Sequence, residues 1–198
     1  MKIGLFFGSF NPIHVGHLII ASHVADNTDL NQIWFIVSPQ NPFKTSQSLL
    51  NEYNRFHLIN TAIEGEKKLR ASSVEFKLPR PSYTVETLAY LEEKHPDHEF
   101  SIIIGSDSFQ NLNQWKNFDV IIKKYVIYIY KRPGVDVTND IGADIVILDA
   151  PLLEISSTRI RKMVREKKSI RYLVTDPVKE EIERNGYYRS NLEDPAQQ

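Results

Sequence analysis

Apolar runs that are continuous rather than alternating recur along this chain, separated by segments with helical spacing. Ile3 to Phe7 is the first and Ile33 to Val37 the second; Ala71 to Phe76, Glu99 to Ile104, Tyr125 to Tyr130 and Ile145 to Leu148 follow. A strand that is apolar on both sides must be covered on both sides, the condition of a parallel sheet between two layers of helices. Between the runs, Val15 to Ala25, Glu52 to Ile63, Thr84 to Lys94, a stretch holding Trp115 and Phe118 up to Lys123, Ser156 to Lys167 and Asp176 to Arg184 read as helices. Ser82 or Thr84 is the N-cap candidate of the third. The alternation predicts an α/β fold, a doubly wound parallel sheet with helices on both faces. Such sheets bind ligands beyond the carboxyl ends of their strands. The polar clusters after Phe7, Val37, Ile104 and Leu148 are therefore the places to look.

Composition bounds the class of function. The 198 residues suit one domain, expected over residues 1–189 with a C-terminal helical part at about 156–189; the polar tail at 190–198 is expected to be mobile. A net charge of -1 argues for neither a nucleic-acid nor a membrane partner. The absence of cysteine removes disulfides, thiolate metal sites and a cysteine nucleophile, and suits a reducing compartment. Met1-Lys2-Ile3 does not open a signal peptide, and the apolar stretch Val120 to Tyr130 is broken by Lys123 and Lys124. A cytoplasmic protein is expected. A homo-oligomer is left open, because one sequence does not separate an apolar surface from core.

Two constellations carry chemistry. The first is Gly8-Ser9-Phe10-Asn11-Pro12-Ile13-His14-Val15-Gly16-His17, which reads as strand, tight loop and helix N-terminus. A helix start offers unpaired N–H groups and the positive end of the helix dipole, a site for phosphate. Gly8 and Gly16 permit close backbone approach; His14 and His17, on one side of the first turn, add donors and, as imidazolium, charge. A single histidine is more often an ordinary surface or core residue, but a pair after this loop is a stronger signal. A metal site here is a weak reading, with no cysteine and no third ligand at standard spacing. The second constellation is Ile155-Ser156-Ser157-Thr158-Arg159-Ile160-Arg161, a hydroxyl-rich helix start followed by forked cations that suit phosphate. Alone, it reads equally well as a capped, solvated helix.

Together the two resemble the paired His-x-Gly-His and Ile-Ser-Ser-Thr-x-x-Arg signature of the nucleotidyltransferases, which have a Rossmann-like fold and are related to class I aminoacyl-tRNA synthetases. The chain is too short for a synthetase and lacks a Lys-Met-Ser-Lys-Ser loop. Within that group it looks most like the bacterial nicotinate-mononucleotide adenylyltransferases, over about Lys2 to Arg189. The further motifs are Pro39-Gln40-Asn41-Pro42-Phe43-Lys44, Pro81-Ser82-Tyr83-Thr84, Gly105-Ser106-Asp107-Ser108, Trp115 after Leu112, and Gly186-Tyr187-Tyr188-Arg189. The chain departs from the pattern at Asn11, where many members carry Asp, so no catalytic role is given to that side chain.

The resemblance implies transfer of AMP from ATP to nicotinate mononucleotide, with pyrophosphate leaving and deamido-NAD forming. It implies catalysis by His14, His17, Lys44 and Arg161, and an ATP site of Gly8, Ser9, Phe10, His14, Gly16, His17, Gly105, Asp107, Ile155, Ser156, Ser157, Thr158 and Arg161. The acceptor site would use Lys44, Ser82, Tyr83, Thr84 and Trp115, with Trp115 stacking on the pyridine ring and backbone N–H groups near Tyr83 and Thr84 reading the carboxylate. Mg²⁺ would ride mainly on ATP phosphates, with no dedicated protein metal site. Three alternatives stay open: nicotinamide mononucleotide as acceptor, phosphopantetheine as acceptor, and a non-catalytic nucleotide-binding module. A dehydrogenase fits less well, since no Gly-x-Gly-x-x-Gly follows any strand.

Overall fold

The computed structural model describes residues 1–40, 49–151 and 153–189. Lys44 and most of its motif lie outside the described residues, as does the tail at 190–198. In chain order the elements are β1 (Lys2–Gly8), α1 (Val15–Asn27), β2 (Gln32–Val37), α2 (Glu52–Ala62), β3 (Leu69–Ser72), α3 (Thr84–Lys94), β4 (Glu99–Gly105), α4 (Ser106–Gln110), α5 (Phe118–Lys124), β5 (Ile127–Tyr130), β6 (Ile145–Leu148), α6 (Ser157–Arg165) and α7 (Asp176–Asn185). Among the described residues, no helix is long and apolar enough to cross a membrane.

The six strands form one parallel sheet in the order β3-β2-β1-β4-β5-β6. The chain leaves β1 in one direction across β2 and β3, then returns to the other side of β1 to start β4. The strand order therefore reverses between β1 and β4, and a crevice opens beyond their carboxyl ends. This is the Rossmann-like α/β fold that the pattern of runs predicts.

Pleating divides the apolar runs between two cores. Ile3, Leu5, Ile36, Ile102 and Ile104 face Leu88 and Leu91 of α3, Phe109 of α4 and Ile121 of α5. Phe6, Phe35 and Ile103 face Val24 of α1, Leu58 and Ile59 of α2, Ile160 of α6 and Ile182 of α7. Each fully buried Ile or Leu contributes roughly 1.5–3 kcal/mol, so both helical layers are held by packing and need little from helix propensity.

Three local expectations are corrected. The strand expected over Ala71 to Phe76 ends at Ser72, and Val74–Lys77 form a 3-10 turn. Ser72 is the last residue in register with β2, opposite Ile36, although β2 itself runs on to Val37. The helix expected through Trp115 is interrupted: Leu112–Gln114 form a 3-10 turn, Trp115 is extended, and Asn117 sits in the left-handed region at φ 52° before α5 begins. Asn tolerates that conformation better than most residues. Neither Ser82 nor Thr84 caps α3. Tyr83 occupies the N-cap position without a side-chain cap, and the Ser82 hydroxyl donates elsewhere, to Glu75 at 2.7 Å.

Candidate active site

The loop after β1 is shaped by Phe10. Its φ of 45° is left-handed, at a cost of roughly 1–2 kcal/mol for a residue with a Cβ. Burial of the ring, left 3 % exposed, offsets a cost of that size. The ring lies over Gly8, where a Cβ would come within 2.8 Å of it. The chain passes Asn11–Pro12 through a cis peptide and reaches His14 at the N-cap of α1. The imidazoles of His14 and His17 stack with centroids 3.6 Å apart and planes at 21°. A Cβ at Gly16 would lie 3.1 Å from the His14 ring, so this glycine makes room for the stack. The other face of the motif is apolar: Phe10 and Phe6 meet the His17 ring edge-on at 5.0 and 6.1 Å.

Burial, reinforced by the nearby Arg132 guanidinium, brings the His14 ring down to about 4; burial, His14 and Arg132 hold His17 well below the ordinary histidine value. Both rings are therefore neutral near pH 7, which corrects the expectation that imidazolium supplies charge to the free protein. Each ring offers one N–H donor, and the buried Nδ1 of each makes no hydrogen bond among the described residues. The unfolded chain titrates these rings near 6.5, so below that pH it binds protons that the folded chain does not. Stability is expected to fall as pH drops from about 6.5 to about 4. Urea melts at several pH values check this, and His14→Asn should flatten the dependence.

The second motif closes on the first. Ser156 caps α6, its Oγ accepting the Arg159 N–H at 3.3 Å. Ser157 Oγ donates to the Pro12 carbonyl at 2.9 Å, and Arg161 Nη1 to the Asn11 carbonyl at 2.8 Å. The Val15 N–H donates to the Leu173 carbonyl at 3.0 Å. Asn11 Oδ1 accepts the Leu50 N–H at 3.1 Å, so this side chain joins the loop to the segment before α2. The two helix starts enclose a cavity of about 610 Å³ lined by Ser9, His14, His17, Asp107, Thr158 and Arg161 among others. Gly8, Phe10, Ile155, Ser156 and Ser157 also line it. Gly105 lines the neighbouring cavity, and Gly16 a small recess behind His14. Arg159 is exposed and lines neither.

That neighbouring cavity, about 140 Å³, brings Ser82, Tyr83, Thr84 and Trp115 together. Gly8, Ser108 and Tyr130 line both cavities, so the two adjoin at the reversal between β1 and β4. Lys116 lies over the Tyr83 ring at 4.5 Å and bonds Glu86 Oε1 at 2.6 Å, placing a cation at the pocket.

The family model for cytidylyltransferase-like proteins matches residues 5–163. A relative from Cytophaga hutchinsonii, named probable nicotinate-nucleotide adenylyltransferase, is 52% identical over 191 residues, covering 95% of this chain and 98% of its own. One of the same name from Flavobacterium psychrophilum is 47% identical, covering 96% and 100%. The chain belongs to the nicotinate-nucleotide adenylyltransferases of the cytidylyltransferase-like family. The fold agrees: a Plasmodium falciparum nicotinic acid mononucleotide adenylyltransferase complexed with NaAD superposes with a TM-score of 0.81 at 20% identity, covering 97% of this chain and 99% of its own.

Within this adenylyltransferase three charged residues were not singled out from the sequence. Arg132 lines the larger cavity, with Nη2 3.2 Å from the Tyr130 hydroxyl and Nε 3.7 Å from Asp107 Oδ1. It follows the carboxyl end of β5, a position the rule about strand ends reaches. Glu75, buried in the 3-10 turn after β3, lines the smaller cavity. Arg55 of α2 is fully buried and donates to the carbonyls of Leu50 (2.7 Å), Ser9 (2.6 Å), Ser38 (2.9 Å) and Pro39 (3.2 Å). Burial brings it down to about 10, which still leaves it a cation. It ties the loop after β1 to the loop after β2. A buried Arg in the middle of a helix looks like a surface residue in sequence, which is why no signal marks it.

Proposed function

We propose that this chain joins the AMP of ATP to nicotinate mononucleotide. An oxygen of the acceptor's phosphate bonds to the α-phosphorus of ATP, the bond from that phosphorus to the bridging oxygen breaks, and pyrophosphate carries the charge away. One observation carries the reading: two phosphate-type helix starts, α1 and α6, meet over one cavity through Arg161 and Ser157, and a second cavity with an aromatic wall adjoins it.

The chemistry asked of the protein is positioning and charge stabilisation. The neutral His14 and His17 rings donate hydrogen bonds to phosphate oxygens. An anion drawn in beside them favours their protonated forms, so charge arrives with the substrate. Arg161 and Arg132 supply permanent cations at the cavity wall, and Ser156 and Thr158 supply hydroxyls to the departing pyrophosphate. Asp107, beside Arg132, accepts ribose hydroxyls. Among the described residues no three His, Asp or Glu side chains converge to hold a metal. One carboxylate, Asp107, among hydroxyls and guanidinium groups fits a Mg²⁺ held mainly by phosphate oxygens and water. Bound so, Mg²⁺ offsets negative charge on the phosphates.

On the acceptor side, Trp115 stacks on the pyridine ring. The α3 start and Lys116 meet the carboxylate, which favours nicotinate over its uncharged amide. Trp115→Ala is expected to raise KM for the acceptor about tenfold, the worth of an aromatic contact, with KM for ATP nearly constant. An unchanged acceptor KM removes Trp115 from the pocket.

The test of the function is pyrophosphate release from ATP and Mg²⁺ with nicotinate mononucleotide, nicotinamide mononucleotide or phosphopantetheine in separate reactions. Fast release with the first alone is expected. Release only with another acceptor reassigns the substrate, and no release with any leaves a nucleotide-binding module.

A further inference from the structure

The acceptor cavity has an anionic residue in its wall. Glu75 is 2 % exposed, lies in the 3-10 turn after β3, and has no basic partner within ion-pairing distance among the described residues. Its two carboxyl oxygens are instead met by hydroxyls: Ser82 Oγ donates to Oε2 at 2.7 Å, and Thr87 Oγ1 to Oε1 at 2.9 Å. The two donors straddle the beginning of α3, one before the N-cap Tyr83 and one in the first turn. Burial pushes the carboxyl upward and the hydroxyls of Ser82, Thr87 and Ser38 pull it back.

The arrangement has a consequence for the helix start. A Ser or Thr at the N-cap position itself turns its oxygen onto the first-turn N–H groups; Ser82 stands one residue before that position. Here the Ser82 hydroxyl is committed to Glu75, and Tyr83 makes no side-chain cap. The α3 start thus lies at the acceptor cavity, lined by Tyr83 and Thr84, without a side chain of its own closing it. The carboxylate fixes the helix start from behind, through Ser82 before the N-cap and Thr87 in the first turn.

We propose that Glu75 is a positioning residue for the acceptor: through Ser82 and Thr87 it sets the place of the α3 start that receives the acceptor's carboxylate. The proposal rests on the acceptor reading above. It concerns the smaller cavity alone, since Glu75, Ser82 and Thr87 do not line the one assigned to ATP. A residue that merely held the fold would weaken both substrates together; this one acts on one.

Steady-state kinetics of Glu75→Ala and Glu75→Gln test it, with both substrates varied. In Glu75→Ala the KM for nicotinate mononucleotide is expected to rise about tenfold, with KM for ATP within about twofold, as loss of its hydrogen bonds to the α3 start implies. Glu75→Gln keeps the shape and one accepting oxygen, and should recover most of the loss. Equal rises in both KM values, or an unchanged acceptor KM in folded Glu75→Ala, overturn the proposal. If Glu75→Ala does not fold, Ser82→Ala removes one of the bonds to the α3 start and should raise the acceptor KM alone by about threefold; no rise there overturns it equally. Failure of the wild-type chain to use nicotinate mononucleotide defeats the acceptor reading instead, and is seen before any variant is measured.

Discussion

His17→Ala is expected to lower kcat about 10²–10³-fold, the loss that follows removal of one preorganised donor to a developing phosphate charge. The effect should exceed that of losing one hydrogen bond, for a structural reason. His17 is the surface on which the His14 ring lies, at 3.6 Å, and it closes the apolar wall made by Phe6 and Phe10. Its removal frees the His14 ring as well. His17→Asn keeps a donor but not the stack, and should fall between wild type and alanine. Initial rates at saturating ATP and acceptor, beside a thermal melt, separate chemistry from folding. Wild-type turnover from a folded His17→Ala protein would falsify the role given to both rings.

Arg161→Ala is expected to cost about 10²-fold in kcat/KM for ATP, with a smaller change for the acceptor. Two losses add. One is the cation at the pyrophosphate end of the cavity. The other is the hydrogen bond to the Asn11 carbonyl, which draws the loop after β1 onto α6; deleting the donor to such a group costs about 1–3 kcal/mol. Arg161→Lys keeps the charge without the fork that reaches both Asn11 and Thr158, and should rescue only part. Competition by free pyrophosphate against ATP measures the first loss, the melting temperature the second. Unchanged ATP kinetics in a folded Arg161→Ala protein would remove it from the phosphate site.

Much of the fold was legible because the apolar runs are long and uninterrupted. Ile3 to Phe7 and Ile145 to Leu148 are read as strands from composition alone, and the alternation fixes a parallel sheet. What failed was local and had tertiary causes. The Val74–Lys77 segment has the look of a strand, but it leaves the sheet after Ser72 and folds into a turn whose Glu75 is held by Ser82 and Thr87. Trp115 has helical neighbours, but a left-handed Asn117 breaks the run.

The site divides the same way. His14, His17, Ser156, Thr158 and Arg161 stand in two motifs and meet at one cavity. Glu75, Arg55 and Arg132 stand in no motif. Their surroundings come from distant segments, and a carboxylate held by hydroxyls or a guanidinium held by four carbonyls has no signature in the spacing of residues. Histidine charge was misjudged for a related reason, since burial is a property of the folded neighbourhood.

The contacts of Ser157 with Pro12 and of Arg161 with Asn11 span 145 and 150 positions. During synthesis, then, the phosphate loop emerges early but waits for α6 before its carbonyls meet these donors. A nascent chain that has made the first five strands holds most of the sheet without a finished catalytic centre. Activity should appear only when the last helices have left the ribosome, so a partly made chain does not consume ATP.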